Sequence, residues 1–118
     1  MLRTLCKSKI LNAFITDKVL HYSGSIGIDK AIIEATDLLP SEQVQVLNVN
    51  NGARFTTYVI EEKANSGKIV LYGPATRRGE IGDGLIILSY CLMETTECRN
   101  FKQRLVSLAK NNQLKAPK

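Results

Sequence analysis

The segment His21-Tyr22-Ser23-Gly24-Ser25 places a serine hydroxyl directly after a glycine. Glycine adopts backbone conformations that other residues cannot, so the peptide bond between Gly24 and Ser25 can be held in a distorted turn. In such a turn the Ser25 hydroxyl can attack the Gly24 carbonyl and convert the peptide bond into an ester. A Gly-Ser pair alone more often makes a simple turn between two strands, so this chemistry needs support from other residues.

Arg54, Thr57 and Tyr58 lie together in one predicted strand and, with Lys9, supply further reactive groups. A guanidinium can hold a carboxylate through two parallel hydrogen bonds, and a lysine adds a second positive charge. Alternation along a strand puts Arg54 and Tyr58 on one face and Thr57 on the other, unless the strand is twisted or bulged. Arg54 and Lys9 can equally be solvated surface charges, an alternative that the sequence leaves open.

Period-two alternation predicts that most of the chain is β-structure. Residues 43–50 and 54–60 flank Asn51-Gly52, which is a strong signal for a β-hairpin. Gly73-Pro74 ends another predicted strand, and the apolar run at 85–93 is typical of a buried central strand. Further predicted strands cover residues 2–10, 13–22, 25–28 and 68–72.

Residues 29–39 have a helical pattern, with Asp29 able to cap the helix and Pro40 just past its end. Residues after Thr95 fit either a helix or an edge strand. About six or seven short strands with one or two short helices predict a single, mainly β domain, and such a small sheet closes into a barrel because closure removes its exposed edges.

The chain has a formal charge of +5, and many of its basic residues follow residue 98. A basic β-barrel that binds single-stranded nucleic acid is therefore one alternative function. Because the aromatic residues are few and not interleaved with the basic ones, we expect no nucleic-acid partner. We expect the barrel to span residues 1–110 and residues 111–118 to form a flexible basic tail.

Cysteine and histidine usage argues against a metal site. Cys6, Cys91 and Cys98 have no CxxC spacing, and His21 is the single histidine. With no cluster of carboxylates either, we expect no metal. No segment has the length and apolar character of a signal peptide or a membrane span, so we expect a cytoplasmic protein without a membrane partner.

Several motifs together resemble the aspartate 1-decarboxylase family, whose members depend on a pyruvoyl group, over about the first hundred residues. The linked set is far more specific than any one of its parts. In the family's order and spacing it comprises Lys9, Tyr22-x-Gly24-Ser25 followed by Ile28-Asp29, Asn48-x-x-Asn51-Gly52-x-Arg54-Phe55-x-Thr57-Tyr58, and Ile81-Gly82-Asp83.

The resemblance implies a fold, an activity and a cofactor. The expected fold is a double-psi β-barrel, assembled as a homotetramer with active sites between neighbouring subunits. The expected reaction converts L-aspartate to β-alanine and CO2 for pantothenate synthesis. The chain would cut itself between Gly24 and Ser25, and Ser25 would become a covalent pyruvoyl cofactor whose ketone forms a Schiff base with the amino group of aspartate.

The resemblance also implies roles for individual residues. Thr57 matches the donor to the oxyanion that develops during cleavage, and Tyr58 matches the proton donor of the decarboxylation. The substrate-binding positions are matched by Lys9, Arg54, Thr57, Gly73, Pro74 and Ala75. Whether maturation needs a helper protein as a further partner stays open.

Three positions depart from the family pattern. Tyr72 replaces a small amide, Leu11 stands where histidine is frequent, and Pro74 removes a backbone N–H from the expected substrate-contacting segment. These departures leave Ser25 and Tyr58 in place. They also leave a second alternative open, a catalytically weak or unprocessed relative.

Overall fold

The computed structural model describes residues 1–115, and nine strands account for most of them. The strands are β1 (Leu2–Phe14), β2 (Asp17–Val19), β3 (Ser25–Asp29), β4 (Gln43–Asn48), β5 (Arg54–Glu62), β6 (Ile69–Tyr72), β7 (Gly84–Glu94), β8 (Arg104–Ala109) and β9 (Gln113–Leu114). Two short α-helices, α1 (Lys30–Ala35) and α2 (Thr95–Cys98), and the 3-10 turns Gly73–Arg78 and Lys110–Asn112 complete the fold.

The strands form one sheet in the order β2-β6-β3-β5-β4-β7-β1-β8-β9. Only Ile15 and Thr16 separate β1 from β2, although β2 lies at one end of this order and β1 lies near the other. The sheet therefore curls until its ends meet, and Thr16 secures the junction by donating its backbone N–H to the Ile69 carbonyl at 2.8 Å. This confirms the predicted class, a small, mainly β barrel with one or two short helices.

Inward-facing aliphatic side chains fill the barrel. The alternation in β4 buries Val44 and Val46, and its antiparallel pairing with β5 confirms the predicted hairpin. Burial of each such side chain contributes about 1.5–3 kcal/mol relative to exposure. The fully buried large side chains are Ile10, Ile15, Ile26, Ile28, Ile32, Ile69, Leu71, Leu85, Ile87, Val44, Val46 and Val59.

Two elements near the N-terminal half differ from the sequence prediction. β1 continues through residues predicted to interrupt it, because a register shift between Ile10 and Ala13 absorbs Asn12 at φ 60°. The helix expected at 29–39 ends at Ala35, since the left-handed backbone of Asp37 (φ 56°) stops it.

No helix among residues 1–115 has the length and apolar character needed to cross a membrane.

The expected flexible tail from residue 111 onward is wrong for residues 111–115. Asn112 is buried, and its amide donates to the carbonyls of Phe14 at 2.8 Å and Gly67 at 2.9 Å. β9 then pairs antiparallel with β8, which is itself parallel to β1. The segment belongs to the barrel because this single amide satisfies two backbone carbonyls there; residues 116–118 lie outside the described part of the chain.

Asp29 joins three parts of the chain through its buried carboxylate. Its Oδ1 caps α1 by accepting from the Ala31 N–H at 2.8 Å and also accepts from the Asn65 N–H at 2.9 Å. Its Oδ2 accepts from the Gly67 N–H at 2.9 Å. The predicted cap is thus confirmed, and the same side chain also holds the turn before β6.

Asp29→Asn should lower the free energy of unfolding by about 2 kcal/mol, because an amide N–H2 would face an N–H donor and leave a buried group unpaired. Urea unfolding of both proteins measures the difference. Asp17→Asn, at an exposed position, serves as the matched control. Equal unfolding midpoints for Asp29→Asn and Asp17→Asn would contradict this role for Asp29.

Candidate active site

Ser25 is fully buried, yet its hydroxyl has no hydrogen-bond partner. It begins β3, opposite Tyr72 of β6, and 0% of its surface is exposed. Among residues 1–115, Ser25 Oγ is the one buried side-chain nitrogen or oxygen atom that lacks a partner. Leaving such a group unpaired costs about 1–3 kcal/mol, so the fold keeps this hydroxyl free at the expense of stability.

Two glycines shape the backbone immediately before Ser25. Gly24 has φ +112°, a conformation that side-chain-bearing residues rarely adopt. Gly73 has φ +64°, and a Cβ there would lie 2.4 Å from the Tyr22 carbonyl oxygen and 2.8 Å from the Gly24 nitrogen. The backbone at residue 73 therefore packs directly on the peptide that precedes Ser25, and only glycine allows this approach.

A cavity of about 390 Å³ opens beside Ser25. It contains six of the predicted site residues, and sequence reasoning missed three others, Phe55, Thr56 and Arg78. The complete lining is Gly24, Ser25, Phe55, Thr56, Thr57, Tyr58, Pro74, Ala75 and Arg78.

The position of β5 explains how Thr57 and Tyr58 can line one cavity although strand alternation puts them on opposite faces. β3 pairs with β5 only from Ile26 and Val59 onward, so residues 55–58 present an unpaired edge to the cavity. Along such an edge, consecutive residues can all line one space. Thr57 and Tyr58 therefore reach the same cavity, although their side chains leave the strand on opposite faces.

Lys9 and Arg54 are not brought to this cavity by their own chain. Arg54 is exposed and donates from Nη2 to Gln45 Oε1 at 3.0 Å. Lys9 lies in β1, where it pairs with Leu88 and Leu105, and two strands separate β1 from β5. The structure therefore does not place these two predicted substrate-binding residues in the Ser25 cavity.

A larger cavity of about 500 Å³ lies over β4 and β7. Its lining holds one carboxylate, Glu42, which is already paired with Lys7 at 2.9 Å. It contains no unpaired buried nucleophile, so the smaller cavity at Ser25 is the better candidate.

Residues 1–115 contain no group of three or more His, Cys, Asp or Glu side chains placed to hold a metal ion.

Two asparagines of the Asn48–Tyr58 motif hold the backbone of Arg78. Asn48 and Asn51 each donate a side-chain N–H to the Arg78 carbonyl at 3.1 Å. Asn48 also donates to Asp83 Oδ2 at 2.9 Å, and this bond is the main reason that the pKa of Asp83 is lowered. Asn48 therefore links residue 78 to Asp83, and because these contacts appear only in the folded chain, no pattern in the sequence identified Arg78.

Tyr72, one of the unusual residues, lies outside the cavity lining. Its hydroxyl donates to Glu62 Oε2 at 2.7 Å, and its ring is 4.8 Å from that of Tyr22. The Glu62–Tyr72 pair spans β3 above Gly27, where a Cβ would lie 2.9 Å from the Tyr72 ring. Burial first, and the Glu62 carboxylate second, raise the pKa of Tyr72 from 10.0 to about 12.

The fold and the cavity together define a small β-barrel enzyme candidate whose reactive group is a buried serine hydroxyl. Comparison with known proteins agrees. The family model described as aspartate decarboxylase matches residues 1–115. The chain therefore belongs to the aspartate decarboxylase family.

Curated relatives span nearly the whole chain. An aspartate 1-decarboxylase of Thermoanaerobacter pseudethanolicus is 49% identical over 95% of this chain and 96% of the relative. One of Coxiella burnetii is 57% identical over 82% of this chain and 87% of the relative. A solved structure of a rationally designed protein, mkDPBB_sym_86, matches with a TM-score of 0.49 and 15% identity, covering 67% of this chain and 91% of that one.

Tyr72→Phe should remove part of the loss of stability at high pH. The unfolded chain releases the Tyr72 proton near pH 10, whereas the folded chain keeps it until about pH 12. Stability is thus fully present below pH 10 and falls as the pH rises towards 12. Urea midpoints from pH 8 to 11 should fall less in Tyr72→Phe than in the unchanged protein. Tyr90→Phe is the control, and equal slopes in all three proteins would rule out the raised pKa.

Proposed function

We propose that the chain cuts itself between Gly24 and Ser25 and then decarboxylates L-aspartate to β-alanine, which supplies pantothenate synthesis. The observation that carries this proposal is the buried Ser25 hydroxyl without a partner, placed after Gly24 at φ +112°. A hydroxyl that is already free of hydrogen bonds loses none when it attacks the neighbouring carbonyl. The family membership supports the same reaction.

Cleavage begins when Ser25 Oγ attacks the Gly24 carbonyl carbon, and the carbon–nitrogen bond breaks to leave an ester and a free amine. Thr57 lines the same cavity and donates a hydrogen bond to the oxyanion that develops. Loss of the Cα proton of Ser25 then expels the Gly24 carboxylate and leaves dehydroalanine. Water replaces the nitrogen, ammonia departs, and a ketone remains at residue 25.

The residues around Ser25 fit the pyruvoyl group that the family implies. The serine lies at the inner end of a cavity of about 390 Å³, and the cleavage point faces that space. Such a group supplies an electrophilic ketone that captures an amine and accepts the electrons released as CO2 leaves. The protein's own contribution is to shape the cavity, orient the substrate and deliver a proton.

Tyr58 is the proposed proton donor. It lines the cavity next to Thr57, and 39% of its surface is exposed, so its hydroxyl has access to the cavity space and to water. A positioned acid is typically worth about 10² to 10⁴ in rate. Pro74 and Ala75 line the same space, and Gly73, which precedes them, packs against Gly24.

Lys9 and Arg54 are proposed to bind substrate carboxylates in a site shared between subunits of a homotetramer. Both lie outside the Ser25 cavity of their own chain, so a neighbouring copy must bring them there. Exposed apolar side chains such as Leu92 (67% exposed) and Leu105 (55% exposed) give the copies surface to bury. A cytoplasmic location stays a prediction, and whether maturation needs a helper protein stays open.

The unusual residues do not favour an inert relative. Tyr72 is held by Glu62 outside the cavity lining, and Leu11 lines a different cavity with Asn12 and Phe14. Pro74 lacks an N–H, but its ring still lines the Ser25 cavity. Nothing among residues 1–115 favours nucleic-acid binding over decarboxylation.

Ser25→Ala should abolish both cleavage and β-alanine formation, because it removes the attacking oxygen. Intact-protein mass spectrometry of the unchanged protein should show residues 1–24 and 25–118 as separate chains, the larger one lighter by one ammonia than a fragment that starts with serine. Ser23→Ala, two residues earlier in the chain, is the matched control and should still be cut. An unchanged protein that stays whole after prolonged incubation would refute the self-cleavage.

Tyr58→Phe should leave cleavage intact and lower kcat by about 10² to 10⁴, because the acid is lost while the cavity is kept. Normal turnover would remove Tyr58 from this role.

The Tyr58→Phe variant also tests the shared site when it is co-assembled with Lys9→Ala. If each site takes Tyr58 from one copy and Lys9 from another, random hybrids of the two weak variants should recover about a quarter of the full activity. No recovery in proven hybrids would place both residues in one copy's site.

A further inference from the structure

Arg78 is the one charged side chain in the lining of the Ser25 cavity. The other lining residues are small, apolar or hydroxyl-bearing. No carboxylate among residues 1–115 forms an ion pair with Arg78. Its neighbour Arg77 is also exposed but does not line the cavity. The cavity therefore has a single positive charge from its own chain, and that charge is available for an anion.

The backbone of Arg78 is fixed, although its side chain is long. Side-chain amides of Asn48 and Asn51 both donate to its carbonyl at 3.1 Å. Gly79 follows, and a Cβ there would lie 2.9 Å from Asn48 Nδ2 and 2.6 Å from Ile15 Cδ1. A side chain at residue 79 would displace Ile15 or Asn48, and the two amide hydrogen bonds fix the backbone from which the Arg78 side chain extends, so less freedom is lost on binding.

We propose that Arg78 binds the carboxylate of L-aspartate that remains on the product. This inference rests on the proposed function and adds to Lys9 and Arg54 a third cation, which comes from the same chain as Ser25. A guanidinium matches a carboxylate with two parallel hydrogen bonds. The carboxylate that leaves as CO2 loses its charge, so a cation holding it would stabilise the substrate more than the transition state. A cation in this cavity therefore serves the reaction best on the carboxylate that keeps its charge.

The test compares Arg78→Gln with Arg77→Gln, a matched loss of one charge at the next residue. Mass spectrometry first establishes that each variant is cut, and rates are expressed per cut chain. For Arg78→Gln the KM for L-aspartate should rise about 10- to 100-fold with a much smaller change in kcat, the pattern of lost binding that is equal in substrate and transition state. Arg77→Gln should match the unchanged protein, and Arg78→Lys should recover part of the loss.

Inhibition by β-alanine identifies the carboxylate, because this product carries only the one that remains. Its inhibition constant should rise in Arg78→Gln by the same factor as KM. A raised KM with unchanged β-alanine inhibition would assign Arg78 to the departing carboxylate and overturn the proposal. An unchanged KM, or failure of both Arg78 variants to be cut, would also overturn it. A lack of β-alanine formation by the unchanged protein would instead refute the proposed function itself.

Discussion

The structure depends on one constraint, the burial of a hydroxyl that receives no hydrogen bond. β3 is paired on both sides, with β5 and β6, and Ser25 stands at its first position, where the pairing to β5 has not yet begun. β6 pairs with β3 at Ser25, whereas residues 55–58 of β5 present an edge that is not paired with β3, and no described group on either side donates to or accepts from Ser25 Oγ. The barrel thus holds this oxygen unpaired on the residue that directly follows Gly24.

The surrounding residues are arranged to maintain that constraint. Gly73 and Gly24 let two backbone segments approach more closely than any side chain would permit. On the other side of the 3-10 turn, Asn48 holds the Arg78 carbonyl, so the turn is anchored at both ends. The backbone of this side of the cavity is consequently held by a close backbone contact at Gly73 and by a side-chain hydrogen bond at Arg78.

Local patterns were sufficient to predict most strands before residue 95, the hairpin at Asn51-Gly52 and the Asp29 cap, because each depends on neighbours in the sequence. The candidate site residues Ser25, Thr57 and Tyr58 were selected through the resemblance of their motifs to the family. Arg78 was missed since its position depends on contacts with Asn48, thirty residues earlier. The C-terminal segment was mistaken for a tail because a single buried amide, not an apolar pattern, holds it in the barrel.

The proposed cut converts one polypeptide into two that share a single sheet. Residues 1–24 contain β1, which lies between β7 and β8, and β2, which pairs with β6. Once the backbone is cut, residues 1–24 stay bound to the larger chain without a covalent link, with β1 as an internal strand of the sheet. Unfolding then releases two separate polypeptides, so resistance to heat depends on protein concentration. Each subunit of the uncut precursor, by contrast, refolds from a single polypeptide.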